Sequence, residues 1–205
     1  MKNNISLASL ALLAGVGLSS FVTPVSLPDT PNWQFSIFTK IDAVNPVLTP
    51  SNKQVFTCPM LKKEVKWEEK DVFNPAAVVR DGKVYLVYRA EDKIGKFAGT
   101  SRLGLAISSD GLHFKKEAKP IFYPENDAQK SLEWEGGCED PRIVESAQGQ
   151  YIMTYTSYDG KTARLCYATS KDLLKWEKYG PLLKQEKYIN AWSKSGSIVV
   201  EQKGD

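Results

Sequence analysis

The chain is 205 residues long, 42% hydrophobic and 25% charged, with a formal net charge of +3. That is ordinary globular composition, and the positive charge is spread with no basic block longer than a Lys-Lys pair, which argues against a nucleic-acid or membrane-surface partner. The 3 cysteines, Cys58, Cys138 and Cys166, lie far apart and His113 has no ligand neighbours, so neither a metal site nor a disulfide framework is expected.

Residues 1–24 open with Lys2 and an apolar run from Ile5 to Val22, followed by Thr23-Pro24. This is the pattern of a secretory signal peptide, with an uncleaved membrane anchor as the alternative, and it implies an exported, periplasmic or extracellular protein. Residues 25–66 read as an N-terminal extension. Within them, 33–50 read as strand plus turn, and Pro46-Val-Leu-Thr49 has the form of a closing strand without the three that should precede it.

From Trp67 the chain repeats itself. Phe73-Asn-Pro-Ala-Ala-Val-Val79, Gly82 and Tyr85-Leu-Val-Tyr88 match Glu139-Asp-Pro-Arg-Ile-Val-Glu145, Gly149 and Tyr151-Ile-Met-Thr-Tyr155. Arg102-Leu-Gly-Leu-Ala-Ile-Ser-Ser-Asp110 then matches Arg164-Leu-Cys-Tyr-Ala-Thr-Ser-Lys-Asp172, 62 residues on. Each copy predicts two strands around a Gly turn, a third strand (103–108, 165–170), an Asp-containing turn, and a Pro-led fourth strand at Pro120 or Pro181. Four short strands per repeat make a β-propeller blade, and no 3.6-residue periodicity competes.

A third copy starts at Trp192 and breaks off at Gly204-Asp205, within the turn before its second strand. Residues 67–205 therefore hold under three blades, whereas closed propellers have about four to eight. The expectation is an all-β, incomplete propeller: the N-terminal part of a longer protein, marginal or aggregation-prone and inactive by itself.

In a propeller the first strand of each blade lines the axis, so equivalent first-strand positions converge. Asn74 before Pro75, Asp140 before Pro141 and Lys194 before Ser195 are read as such positions. An amide, a carboxylate and an ammonium would face one funnel. Asp140 has a bland alternative, since Asp-Pro is a common turn start. Glu139 should point to the opposite face of the strand. Arg89 and Arg102 end or open strands and are either solvated charges or part of an anion pocket. Tyr85, Tyr88, Tyr155, Phe114 and Trp176 are read as core, and Asp110 and Asp172 as ties of the turn after the third strand.

Taken in order, NPAAV, VYRAED, SRLGLAIS, EGGCEDPRIV and WSKSGSIV resemble glycoside hydrolase family 130, the β-mannoside phosphorylases and related mannosidases, from about Asn45 onward. The resemblance implies a five-bladed propeller, roughly twice as long, acting with inversion on β-mannoside oligosaccharides. It implies Asp140 as proton donor, Asn74 and Arg89 on the sugar, Arg102 by the sugar or phosphate, and Lys194 as a phosphate ligand. No cofactor is implied beyond inorganic phosphate as a co-substrate. The Lys194-Ser195 step departs from the Arg-Asp or Lys-Asp of many phosphorylases, so hydrolysis and phosphorolysis both stay open. A general acid must hold its proton near neutral pH, so the Asp140 carboxyl should be raised. A non-catalytic carbohydrate-binding propeller and a protein-interaction propeller are the competing readings.

Overall fold

The computed structural model describes residues 39–200. The leader expected over residues 1–24 lies outside them, as do the last five residues of the third repeat. A 3-10 turn at Asp42–Val44 leads to a small hairpin of β1 (Phe56–Cys58) and β2 (Lys63–Val65). The first repeat folds as β3 (Asp71–Arg80), β4 (Lys83–Glu91), β5 (Ser101–Ser108) and the two-residue β6 (Lys115–Lys116). The second folds as β7 (Gly137–Glu145), β8 (Tyr151–Tyr158), β9 (Ala163–Ser170) and β10 (Glu177–Pro181). Among the described residues, α-helix is confined to α1 (Lys130–Glu133) and α2 (Glu186–Ile189). The all-β expectation holds.

Each repeat is an antiparallel meander. The two meet at one parallel bridge, Ser101 to Gly137, and the path β10-β9-β8-β7-β5-β4-β3 does not close on itself among the described residues. The turn between β3 and β4 is Asp81-Gly82, both at positive φ (49° and 70°). A left-handed pair of this kind matches the twist of a two-residue hairpin, and Asp-Gly tolerates it.

Strand alternation places the core. Along β4, Leu86, Tyr88 and Ala90 pack with Phe56, Cys58, Val65 and Trp67, while Val87 faces a second cluster. That second cluster joins Leu103, Leu105 and Phe122 of the first repeat to Cys138, Met153, Tyr155, Cys166 and Ala168 of the second. The hairpin β1-β2, within the N-terminal extension expected over residues 25–66, therefore supplies part of the core.

The fourth strands differ from expectation. β10 ends at Pro181 instead of starting there, and the first repeat has only β6 and a bridge from Leu103 to Phe122. Proline has no N–H to give a ladder, so it sits where pairing stops. Residues 46–49 form no strand, and 193–200 pair in no ladder among the described residues. The latter segment leans on β8 and β9 through Ser193 N–H to the Ala163 carbonyl (2.9 Å) and the Thr154 hydroxyl to the Gly196 carbonyl (2.6 Å).

Two polar devices recur in both repeats. Ser108-Asp110 and Ser170-Asp172 cap their turns alike, each Asp accepting two backbone N–H groups at 2.8 Å. In the second device, buried Glu68 accepts from Tyr88 (2.9 Å) and Lys116 (2.6 Å), and buried Glu133 accepts from Tyr155 (2.8 Å) and Lys178 (2.5 Å). Burial pushes the Glu133 carboxyl up, Lys178 and Tyr155 pull it back, and it ends above the usual range. Removing the cation strands that carboxyl. Lys178→Ala should cost about 3–5 kcal/mol of unfolding free energy by chemical denaturation, whereas a change at the exposed Lys175 should cost less than about 0.5 kcal/mol.

Candidate active site

Both repeats interrupt their first strand in the same way. Asn74 (φ 45°) and Asp140 (φ 49°) precede a proline in the left-handed region, and the ladder slips between Phe73 and Ala76 and between Glu139 and Arg142. Asn and Asp enter that region more readily than other non-glycine residues. A bulge of this kind bends the strand and re-aims its side chains. Here the Asn74 amide donates to Asp140 Oδ1 at 2.9 Å, so positions 66 apart in sequence meet.

The bulge also overturns the expectation that Glu139 faces away. Alternation fails at the slip, and Glu139 and Asp140 both bind Arg89: Nη2 to Glu139 at 3.0 Å and Nη1 to Asp140 at 3.1 Å. Arg89 comes from the end of β4 and lies 4.6 Å over the Phe73 ring. Lys194 approaches from the third copy, its Nζ 3.4 Å from Glu139 and 3.5 Å from Asp140. Its place in the repeat is one residue off the expected one. Ser195 (φ 56°) is the residue that shares the left-handed turn with Asn74 and Asp140, and Lys194 answers Phe73 and Glu139.

Asn74, Arg89, Asp140 and Lys194 thus come together. Arg102 does not join them. Its side chain is 1% exposed, bound to Asp92 at 2.6 Å and to the Thr100 carbonyl at 3.0 Å. Arg164 makes the same pair of contacts, to Asp159 at 2.7 Å and the Thr162 carbonyl at 3.4 Å. An arginine that recurs with the same partners in both repeats ties its loop, and Arg102, expected beside the sugar or phosphate, is instead buried on Asp92.

The electrostatics correct a second expectation. Burial pushes the Asp140 carboxyl up, but the hydrogen bonds from Asn74 and Arg89 and the charges of Arg89 and Lys194 outweigh it. Asp140 therefore sits below the usual aspartate range, not above it. At Glu139 burial prevails over Arg89 and Lys194, helped by the adjacent Asp140 charge, and that carboxyl is raised. Three further contributors were missed: Glu91, Ser101 and Lys70. Glu91 was legible, since it lies two residues from Arg89 in a strand and so on the same face. No group of three or more metal-ligating side chains is placed to hold an ion among the described residues.

The family model for beta-1,4-mannooligosaccharide phosphorylases, glycoside hydrolase family 130, matches residues 40–205. A 1,2-beta-oligomannan phosphorylase of Thermoanaerobacter sp. (strain X514) is 42% identical over 60% of this chain and 42% of its own length. A beta-1,2-mannobiose phosphorylase of the same organism is 34% identical over 56% of this chain and 40% of its own. A solved structure of glycoside hydrolases of family 130 that target beta-1,2 mannosidic linkages in Candida mannan superposes with a TM-score of 0.76. It is 50% identical and covers 81% of this chain and 48% of its own. A glycosyl hydrolase from Bacteroides ovatus gives 0.76 at 46% identity, with 81% of this chain and 48% of its own covered. The chain thus spans about half the length of the relatives it matches.

The raised carboxyl has a measurable consequence. A group whose folded value is raised binds its proton more tightly in the folded protein, so stability falls as pH rises from the ordinary glutamate range through the folded value. Urea denaturation between about pH 4 and 7 should show this fall in the parent and a flatter profile in Glu139→Gln. Equal slopes would contradict the assignment.

Proposed function

The chain belongs to glycoside hydrolase family 130, and from that membership we propose that the complete protein cleaves β-mannosidic linkages of manno-oligosaccharides with inversion, Asp140 acting as general acid. The observation that carries this is the meeting of Asn74, Arg89 and Lys194 on one largely buried carboxylate, from separate segments of the chain. Such a constellation suits a sugar whose leaving oxygen must be protonated at a fixed point. The β-1,2 linkage is favoured by the activities of the two Thermoanaerobacter relatives and of the 50% identical structure.

The free site holds Asp140 as the anion, so the proton must be taken up as substrate binds. Burial is already the largest single influence on that carboxyl. A sugar covering its remaining exposure removes more water and favours the neutral form. Asn74 then holds the same carboxyl in line, and the last free N–H of Arg89 is available to a sugar oxygen: the guanidinium has five N–H donors, and its bonds to Ser101, Asp140, Glu91 and Glu139 use four. The second reactant, phosphate or water, attacks the opposite face of the sugar. Phosphate would be met by Lys194, the most exposed cation of the cluster at 39%. No cofactor enters this reading.

The convergence of the two first strands fits a five-bladed propeller in the complete protein, with Asn74 and Asp140 at its axis. The apolar run of residues 5–22 behind Lys2 fits export.

The test is incubation of the complete protein with β-1,2-mannobiose and longer β-mannosides, with and without inorganic phosphate. Release of mannose without phosphate marks a hydrolase, and mannose 1-phosphate with it marks a phosphorylase. Asp140→Asn should lower kcat/KM at least about a hundredfold in either case. No product under any condition, with glycan binding retained in Asp140→Ala, would make the protein a binding module instead.

A further inference from the structure

We propose that Glu91, itself held by Lys70, is a positioning residue for this reaction: it fixes the Arg89 guanidinium so that one cation grips Glu139 and Asp140 together. The inference rests on the β-mannoside-cleaving reading of the same site.

Glu91 gives Arg89 its shortest contact, 2.6 Å to Nη2, against 3.0 Å to Glu139 and 3.1 Å to Asp140. Arg89 and Glu91 stand two apart on β4, so the pair is oriented by the strand and needs no loop to bring it together. Both Glu91 oxygens are engaged. Oε1 accepts from Arg89 and from the Ser101 hydroxyl at 3.2 Å, and Oε2 accepts from Lys70 at 2.7 Å. A carboxylate so occupied is a brace and not a sugar ligand. Lys70 is anchored in turn, its Nζ donating to the Ala98 carbonyl at 2.5 Å and lying 3.6 Å from Asp71.

Arg89 faces Glu91, Glu139 and Asp140, and its flat side rests on Phe73. Lys194 closes the far side of the two acids, while Asp92 is turned away to Arg102. Lys70, Glu91, Arg89, the acid pair and Lys194 form a chain of alternating sign. Three carboxylates bind the central guanidinium, and removing one redistributes the hold on the other two. Glu91 bonds to Arg89, Ser101 and Lys70 and makes no hydrogen bond or ion pair to Asp140, so its influence passes through Arg89.

The test uses the complete protein, assayed on β-1,2-mannobiose with and without phosphate. Glu91→Gln should lower kcat on the order of ten- to a hundredfold with KM nearly unchanged, as expected for a misplaced group. It should also move the titration of Glu139 and Asp140, followed by carbon NMR of the carboxyls, to lower pH, because Arg89 and Lys70 are then less neutralised. Lys70→Gln should move it the other way, and Glu91→Asp should recover part of the rate. Unmoved carboxyl titrations in both Glu91→Gln and Lys70→Gln overturn the proposal whatever the activity. So does an equal loss of rate in Glu91→Asp and Glu91→Gln with an unmoved pH profile, since that is a purely structural effect. Failure of the underlying function looks different: Asp140→Asn, run beside them, would match the parent while the titrations still shift.

Discussion

A single guanidinium holds the candidate site together. Arg89 reaches across from β4 to the bulged start of β7 and neutralises two adjacent carboxylates that would otherwise repel each other. Side by side in a mostly buried setting, Glu139 and Asp140 could not both ionise without it. The consequence is an uneven pair, one acid above and one below its ordinary range. Environments that push paired carboxyls apart are a recurrent feature of acid–base chemistry.

The frame around that contact is repetitive, and the contact itself is not. Both repeats use the same buried Tyr–Glu–Lys network, the same Ser–Asp turn and the same Asp–Arg loop tie. These features build a blade-like unit and say nothing about chemistry. At the shared kink in the first strand the repeats diverge: Asn74 in one, Asp140 in the next, Ser195 in the third. A conformation kept while its side chain changes gives the site different functional groups at one geometrically fixed position. The left-handed backbone there is costly for non-glycine residues, by about 1–3 kcal/mol each. That cost is offset by the bonds that Asn74 and Asp140 make to each other and to Arg89.

The same contrast sorts the arginines. Arg89 has no equivalent bond pattern in the second repeat, where Thr156, opposite Glu139 in the ladder, follows Tyr155 as Arg89 follows Tyr88. Arg102 and Arg164 are duplicates. Repetition within one chain thus separates a brace of the fold from a group free to serve the site.

The sequence by itself determined the first three strands of each of the two repeats, the Asp110 and Asp172 turns and the meeting of Asn74 with Asp140. Periodicity and spacing encode these directly, because each repeat must bury the same face. Only the tertiary structure decided which way Glu139 points, that Arg102 is spent on Asp92, that Lys194 falls one place off the kink, and that Lys70 stands behind Glu91. The reason is physical. A β-bulge inserts a residue where alternation would assign a face, and the direction of a carboxyl's shift depends on competing burial, charge and hydrogen bonds supplied by residues 50 to 66 positions away. Neither quantity exists until the strands are side by side.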